Sequence, residues 1–310
     1  MGIKSISKGN RIFLISFVAT FLILSIVAFV IIYFPRLQTI QHLPTSYDVS
    51  APDWMKFVVP GPDKVTLMNF TNIYRVNGTY SVFASDKLLV LLGFSTQVTV
   101  EKSPFLVTAE YPNPNPNLNE TALNILKPDS VTYSALQGEL NSKSSANYTY
   151  GENTLYEVTR STSDSPAYVI GYVCLRGGYL LYSDGSEGMI LIKSALDNEV
   201  GNSRLIDDQV VKAGLYVLTQ EKGNELAYSY SKFSYSVSDV VSTSTTVRYD
   251  TSSIITSSLY AFNTTSTAQQ DLDKIKQANL KASSFQIIDN YILVVTKYDK
   301  ANLLGELRSL

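Results

Sequence analysis

The chain has 310 residues, of which 17% are charged, and 25 Lys and Arg against 27 Asp and Glu leave a formal net charge of −2. No basic block stands out beyond the N-terminal flank, so the electrostatic footprint that nucleic-acid binding requires is missing. A single cysteine, Cys174, and a single histidine, His42, exclude an intramolecular disulfide, a cysteine-based zinc site and any multi-histidine metal centre.

The first element in the chain is an apolar run. Ile12 to Phe34 contains 23 residues without a charge or a proline. As a helix it would span roughly 34 Å, enough to cross a hydrocarbon core of about 30 Å. Lys4, Lys8 and Arg11 precede the run, whereas only Arg36 closely follows it. That bias places residues 1–11 in the cytoplasm, 12–34 in the bilayer as a transmembrane helix, and the remainder outside the cell. A cleavable export signal has a shorter apolar core and small residues at its cut, neither of which is present. Lys8-Gly9 before the run resembles the processing site of archaeal type IV pilin-like precursors, which implies a mature start at Asn10 and a filament subunit.

Residues 35–53, with His42, Pro44 and Pro52, read as a juxtamembrane linker. Beyond it the pattern predicts a strand at 65–70, a helix over 81–94, a hairpin of 95–101 with 105–111, and a proline-broken loop at 112–119. Pro128-Asp129-Ser130 announces a helix over 131–140. Hairpins follow at 148–159 and at 167–176 with 179–183, then a helix over 186–196. Downstream, 204–213 reads as a short helix and 215–220, 225–237, 240–249 and 253–262 as antiparallel strands. A helix over 267–280 is announced by Ser266 and Gln269 at capping-box spacing.

Two segments repeat at an offset of 112 residues. Residues 174–196 lie over 286–308, so that Gly177-Gly178 falls on Asp289-Asn290 and Tyr179-Leu180-Leu181 on Tyr291-Ile292-Leu293. Both dipeptides suit a tight turn. Asp184 with Glu187 falls on Thr296 with Asp299, a capping pattern at the start of a helix whose apolar stripe is Leu191-Ile192 in one copy and Leu303-Leu304 in the other. The expected fold is therefore α+β, an N-terminal transmembrane helix followed by antiparallel sheets with packed helices. These form two related extracellular modules, 54–200 and 201–310.

Residues able to carry chemistry are few. His42 lies in the linker, Cys174 ends a strand as a small core residue, and Trp54 suits packing at the domain entrance. The stretch Ser183-Asp184-Gly185-Ser186-Glu187-Gly188 lacks the alternating ligands of a calcium loop and fits a helix cap. Asp207-Asp208 and Asp271/Asp273 fit helix starts and surfaces. No phosphate loop, dinucleotide fingerprint or nucleophile elbow occurs, and no cofactor, metal or catalytic residue is assigned. Sequons at Asn69, Asn77, Asn119, Asn147 and Asn263 are possible glycosylation sites. Tyr, at 21 residues, is abundant, and with Ser, Thr and Asn it builds a surface that hydrogen-bonds without ionised carboxylates. That composition resembles the single-pass surface exoproteins of thermoacidophilic archaea.

The expectation is a membrane-anchored extracellular protein of the cell envelope that binds or supports a partner. Its partners would be the lipid bilayer through 12–34 and other envelope proteins or glycans, not nucleic acid. An anchored hydrolase using carboxylates and the pilin-like subunit are the alternatives.

Overall fold

The computed structural model describes residues 40–76, 105–112, 121–162, 165–185, 187–201, 205–220, 223–232, 239–308 and 310. It divides into Met1–His42 and Leu43–Leu310, and every element below belongs to the second unit. In chain order these are β1 (Lys64–Asn69), α1 (Phe70–Val76), β2 (Phe105–Tyr111), β3 (Thr121–Leu126) and α2 (Ser130–Lys143). There follow β4 (Ala146–Tyr150), β5 (Asn153–Thr162), β6 (Ser165–Arg176), β7 (Tyr179–Asp184), α3 (Gly188–Val200) and α4 (Gln209–Thr219). The remainder are β8 (Asn224–Ser231), β9 (Val240–Asp250), β10 (Ser253–Phe262), α5 (Thr265–Ala278), β11 (Ser284–Ile288), β12 (Tyr291–Asp299) and α6 (Leu303–Arg308).

All twelve strands form one sheet in the order β11-β12-β10-β9-β8-β1-β2-β3-β7-β6-β5-β4. This corrects the expected architecture. Separate sheets in two modules would leave β1 as an edge. Instead β1 pairs with β2 on one side and with β8 on the other, antiparallel in both cases. The ladder donors and acceptors on both sides of β1 are thereby used, and the two halves share one sheet. Among the described residues no helix is long and apolar enough to cross a membrane. The 12–34 run lies outside the described residues.

Cross-strand partners assign the faces. Val65, Leu67, Val107, Leu123, Ile125 and Leu181 lie on one face with Tyr228, Tyr230, Leu259 and Leu293. The 3-10 turn Asp53–Phe57, α3 and α4 cover this first face. On the second face, α1, α2 and α6 pack with Leu106, Leu126, Val173 and Ile254, and α5 seats Ala268 and Ile275 against Phe262, Ile292 and Val294. Trp54 is buried in the 3-10 turn at the domain entrance.

Local chemistry explains most helix boundaries. Asp129 accepts the Thr132 N–H at the start of α2, Asp208 those of Val210 and Val211 at α4, and Thr264 that of Thr267 at α5. Thr264 thus takes the cap expected of Ser266. The expected strand over 215–220 falls mostly within α4. Val211, Ala213, Gly214, Leu215, Val217 and Leu218 are all buried there, so apolar residues surround most of the helix and no strand-like alternation survives. The helix α1 and strand β3 had no counterpart in the expected elements. The helix over 81–94, the strand over 95–101 and nearly all of the 112–119 loop lie outside the described residues.

The floors beneath the two first-face helices differ. Under α3 the sheet is apolar: Ile192, Ala195 and Leu196 cluster with Leu123, Ile125 and Leu181. Under α4 the corresponding positions on β9 and β10 are Ser242, Ser244, Thr246 and Ser257, each at most 2% exposed. The hydroxyls of Ser242, Thr246 and Ser257 meet no hydrogen-bond partner among the described residues. Close approach fits this polar floor. A Cβ at Gly214 would lie 2.6 Å from the Ser244 hydroxyl, so only glycine lets α4 settle here.

Candidate functional site

The repeated segments fold alike up to a point. Cys174 pairs with Leu181 across β6 and β7, and Gln286 with Leu293 across β11 and β12, so the register is preserved at the 112-residue offset. Gly177 and Gly178 both take positive φ, of 56° and 82°; in the second turn Asp289 alone does so, at 49°. Aspartate tolerates that left-handed conformation better than most residues.

The copies then diverge. β7 ends at Asp184, and after Gly185 at φ 71° the chain folds back into α3 on the first face. At Gly188, where α3 begins, a Cβ would sit 2.6 Å from the Ser183 carbonyl oxygen. β12 continues three residues beyond the position equivalent to Asp184, ending at Asp299. Successive strand residues alternate faces, so an odd extension reverses the exit side. Accordingly α6 packs on the second face, where Thr256 donates to Glu306 at 3.2 Å and Leu303 and Leu307 join the core. The expected caps are corrected in both copies. Glu187, which precedes α3, makes no side-chain cap bond, and Thr296 is a buried strand residue.

Among the described residues, the first face of β11 and β12 therefore lacks the helix that covers β6 and β7. The linker takes part of that place. Leu43, Tyr47 and Val49 pack against the first-face core. The Leu43 N–H donates to Asp289 Oδ2 at 2.8 Å. The Tyr47 ring lies 4.7 Å from that of Tyr216 on α4, and Lys212 Nζ sits 5.4 Å from the Tyr47 centroid. Between linker, hairpin turn and helix start remains an open cleft of about 510 Å³. Thr45, Ser46 and Tyr47 form one wall, Asp289, Asn290 and Tyr291 another, and Gln209 with Lys212 a third.

The frame of this cleft is fixed. Asn290 Nδ2 donates to the Phe262 carbonyl at 2.6 Å, locking the turn to β10. Burial and the Asp289 carboxylate raise the pKa of Tyr47. Burial, then Tyr47 and the carboxylates of Asp208 and Asp289, push Tyr291 up to about 12. Both phenols stay neutral and can donate and accept hydrogen bonds. The cleft thus combines aromatic faces with hydroxyl, amide, carboxylate and ammonium groups, one anion balancing one cation. None of these residues was singled out as a site from sequence. The signal available was the Asp289-Asn290 turn and the linker tyrosine, but not their meeting.

The sites expected from sequence lie elsewhere. His42 is exposed in the first unit. Cys174 is fully buried, and burial pushes its thiol up to about 12, which suits a core residue. Asp208 caps α4, and Asp271 pairs with Lys274 at 2.7 Å on α5. Asn147 on β4 and Asn263 before α5 are exposed. Asn69 is half-buried and accepts the Asn72 N–H at the start of α1. Asn77 and Asn119, like Ile12 and Phe34, lie outside the described residues.

A second polar cluster ties the 3-10 turn Asp53–Phe57 to the sheet. The Tyr179 hydroxyl donates to Asp53 Oδ2 at 2.7 Å, and Lys56 bridges Asp53 and Glu199 at 3.3 Å each. Arg176 joins Glu199 at 2.8 Å and Glu152 at 2.5 Å. The Tyr179 hydrogen bond, with help from Lys56, lowers the Asp53 pKa below the usual carboxylate range. Each charge here is matched by its neighbour, as in a clamp.

Comparisons with known proteins add little. No protein family matches the chain, and no curated protein does. Among solved structures, crystal form I of TP0453 covers 84% of this chain and 98% of its own, at 10% identity and a TM-score of 0.47. Crystal form III of TP0453 gives 10% identity and a TM-score of 0.48. A likeness at this level carries nothing over to this chain.

Proposed function

We propose that this chain is a membrane-anchored extracellular binding protein of the cell envelope, held to the bilayer through residues 12–34. The uncharged run and the Lys/Arg bias before it support the anchor and its orientation. The observation that carries the binding role is the cleft formed where the linker replaces a helix over β11 and β12. A cleft of about 510 Å³ falls within the range of small-ligand sites, about 300–1,000 Å³. The hairpin frame holds Asp289 and Asn290 in place before any ligand arrives, which reduces the ordering cost of binding.

The test uses the full chain in intact membranes, with a photocrosslinking amino acid in place of Lys212. Irradiation should give discrete envelope adducts that disappear when Tyr47→Ala is added, and the chain should resist alkaline carbonate extraction. Release by carbonate overturns the anchor. Adducts unaffected by Tyr47→Ala overturn the cleft as the binding site.

A further inference from the structure

We infer that the cleft between the linker and the β11–β12 turn binds a neutral saccharide, an inference that rests on the binding role proposed above and names its ligand class. Three features select this chemistry. First, the lining offers paired donors and acceptors at close quarters: the Thr45 and Ser46 hydroxyls, the Gln209 and Asn290 amides, and the Asp289 carboxylate. A polyol presents many hydroxyls, each both donor and acceptor, and such a lining can satisfy several of them at once.

Second, aromatic side chains stand among these polar groups. Tyr47 rests on Tyr216, and Tyr291, at the first strand position after the turn, lies buried at the cleft's base with only 6% of its surface exposed. A sugar ring has an apolar face of C–H groups that lies against such a surface, while its rim of hydroxyls reaches the polar walls. A tyrosine suits this double contact because it is rigid and amphipathic.

Third, charge selects against anionic ligands. Lys212 and Asp289 are the charged side chains lining the cleft, and with the Asp208 carboxylate also acting on Tyr291 an anion finds no net attraction there. The N-terminus of α4, beside Gln209, is occupied by its own cap, since Asp208 Oδ1 accepts from Val210 at 2.8 Å and Val211 at 3.3 Å. A phosphate or sulfate therefore finds those amide donors taken. A lipid tail would seek an apolar channel, which these walls do not offer.

Asp289 both frames and lines the site, so its variant must keep the frame. Asp289 holds φ 49° and accepts the Leu43 N–H. Asparagine tolerates the same backbone conformation, so Asp289→Asn keeps the turn while removing the charged acceptor. Tyr47→Ala removes the stacking surface. Tyr168, 50% exposed on β6, serves as a control outside the cleft.

The experiment titrates the full-length chain in lipid nanodiscs with neutral probes: glucose, galactose, mannose, N-acetylglucosamine and their disaccharides. Glucuronate and glucosamine serve as charged counterparts, and calorimetry and saturation-transfer NMR report binding. Soluble sugars and intact envelope glycan are run as separate arms, to tell a free solute from a polymer ligand. The expected result is saturable binding of a neutral sugar, weakened about five- to tenfold by Tyr47→Ala and by Asp289→Asn and unchanged by Tyr168→Ala. Circular dichroism checks that each variant is folded. Preference for a charged sugar overturns the saccharide assignment. So does failure of every sugar while position 212 still gives Tyr47-dependent protein adducts, which leaves the binding role standing. Failure of both sugars and adducts removes the two proposals together.

Discussion

The hairpin β6–β7 and the hairpin β11–β12 share register, turn position and the tyrosine that follows the turn, yet one is roofed by a helix and the other by a linker. The difference comes from strand length. β7 stops at Asp184 and turns back through Gly185 and Gly188; β12 runs on to Asp299 and releases its helix on the far side. A repeat can thus preserve every pairwise register and still build opposite surfaces, one closed and one open. The open one holds the cleft.

The contrast can be broken most severely on the closed side. Ile192→Ala on the underside of α3 removes a fully buried side chain that packs on the apolar floor and should cost about 2–5 kcal/mol in chemical denaturation. Gly188→Ala should cost about 1–3 kcal/mol, because its Cβ meets the backbone oxygen of Ser183, which cannot rotate away. The equivalent position in the second copy is Lys300, where Lys300→Ala should be close to neutral by the same measurement.

The floor under α4 sharpens the comparison with the opposite sign. Thr246→Val removes a buried hydroxyl that meets no partner among the described residues, and should raise stability by about 1 kcal/mol. A loss would show that an ordered water satisfies this hydroxyl.

The smallest effect concerns acid. The folded-state pKa of Asp53 lies below its ordinary value, so its contribution is full above about pH 4 and fades as pH falls through the lowered value. The carboxylate side chain is 61% exposed, which keeps the effect small. Tyr179→Phe removes the leading cause and should bring the NMR-detected Asp53 titration back toward the usual range.

Local features were legible in the sequence. The Asp129 cap, the Gly177-Gly178 turn and the 112-residue offset all reflect interactions within a few residues, or patterns repeated along the chain, whereas the Asp208 cap falls in the middle of the expected 204–213 helix. The tyrosines divided as sheet chemistry demands, with Tyr156, Tyr179, Tyr182, Tyr228 and Tyr230 buried in the sheet. What failed was long-range. Nothing near β1 announces β8 as its second neighbour, and an apolar α4 over a serine floor has no distinctive period. The cleft depends on Leu43 meeting Asp289, 246 residues away. Side choice after a strand depends on whether its length is odd or even, and strand ends are the least certain part of any pattern.

The β1–β8 ladder also sets an order of events during synthesis. Thr66 pairs with Ser229, so β1 waits for more than half the chain to be made before its second edge is filled. Until residues 224–231 emerge, the N-terminal half presents a bare strand at what becomes the middle of the sheet, open to mispairing with other chains. Closing the sheet is a late, non-local step, and refolding should be slow for a protein of this size.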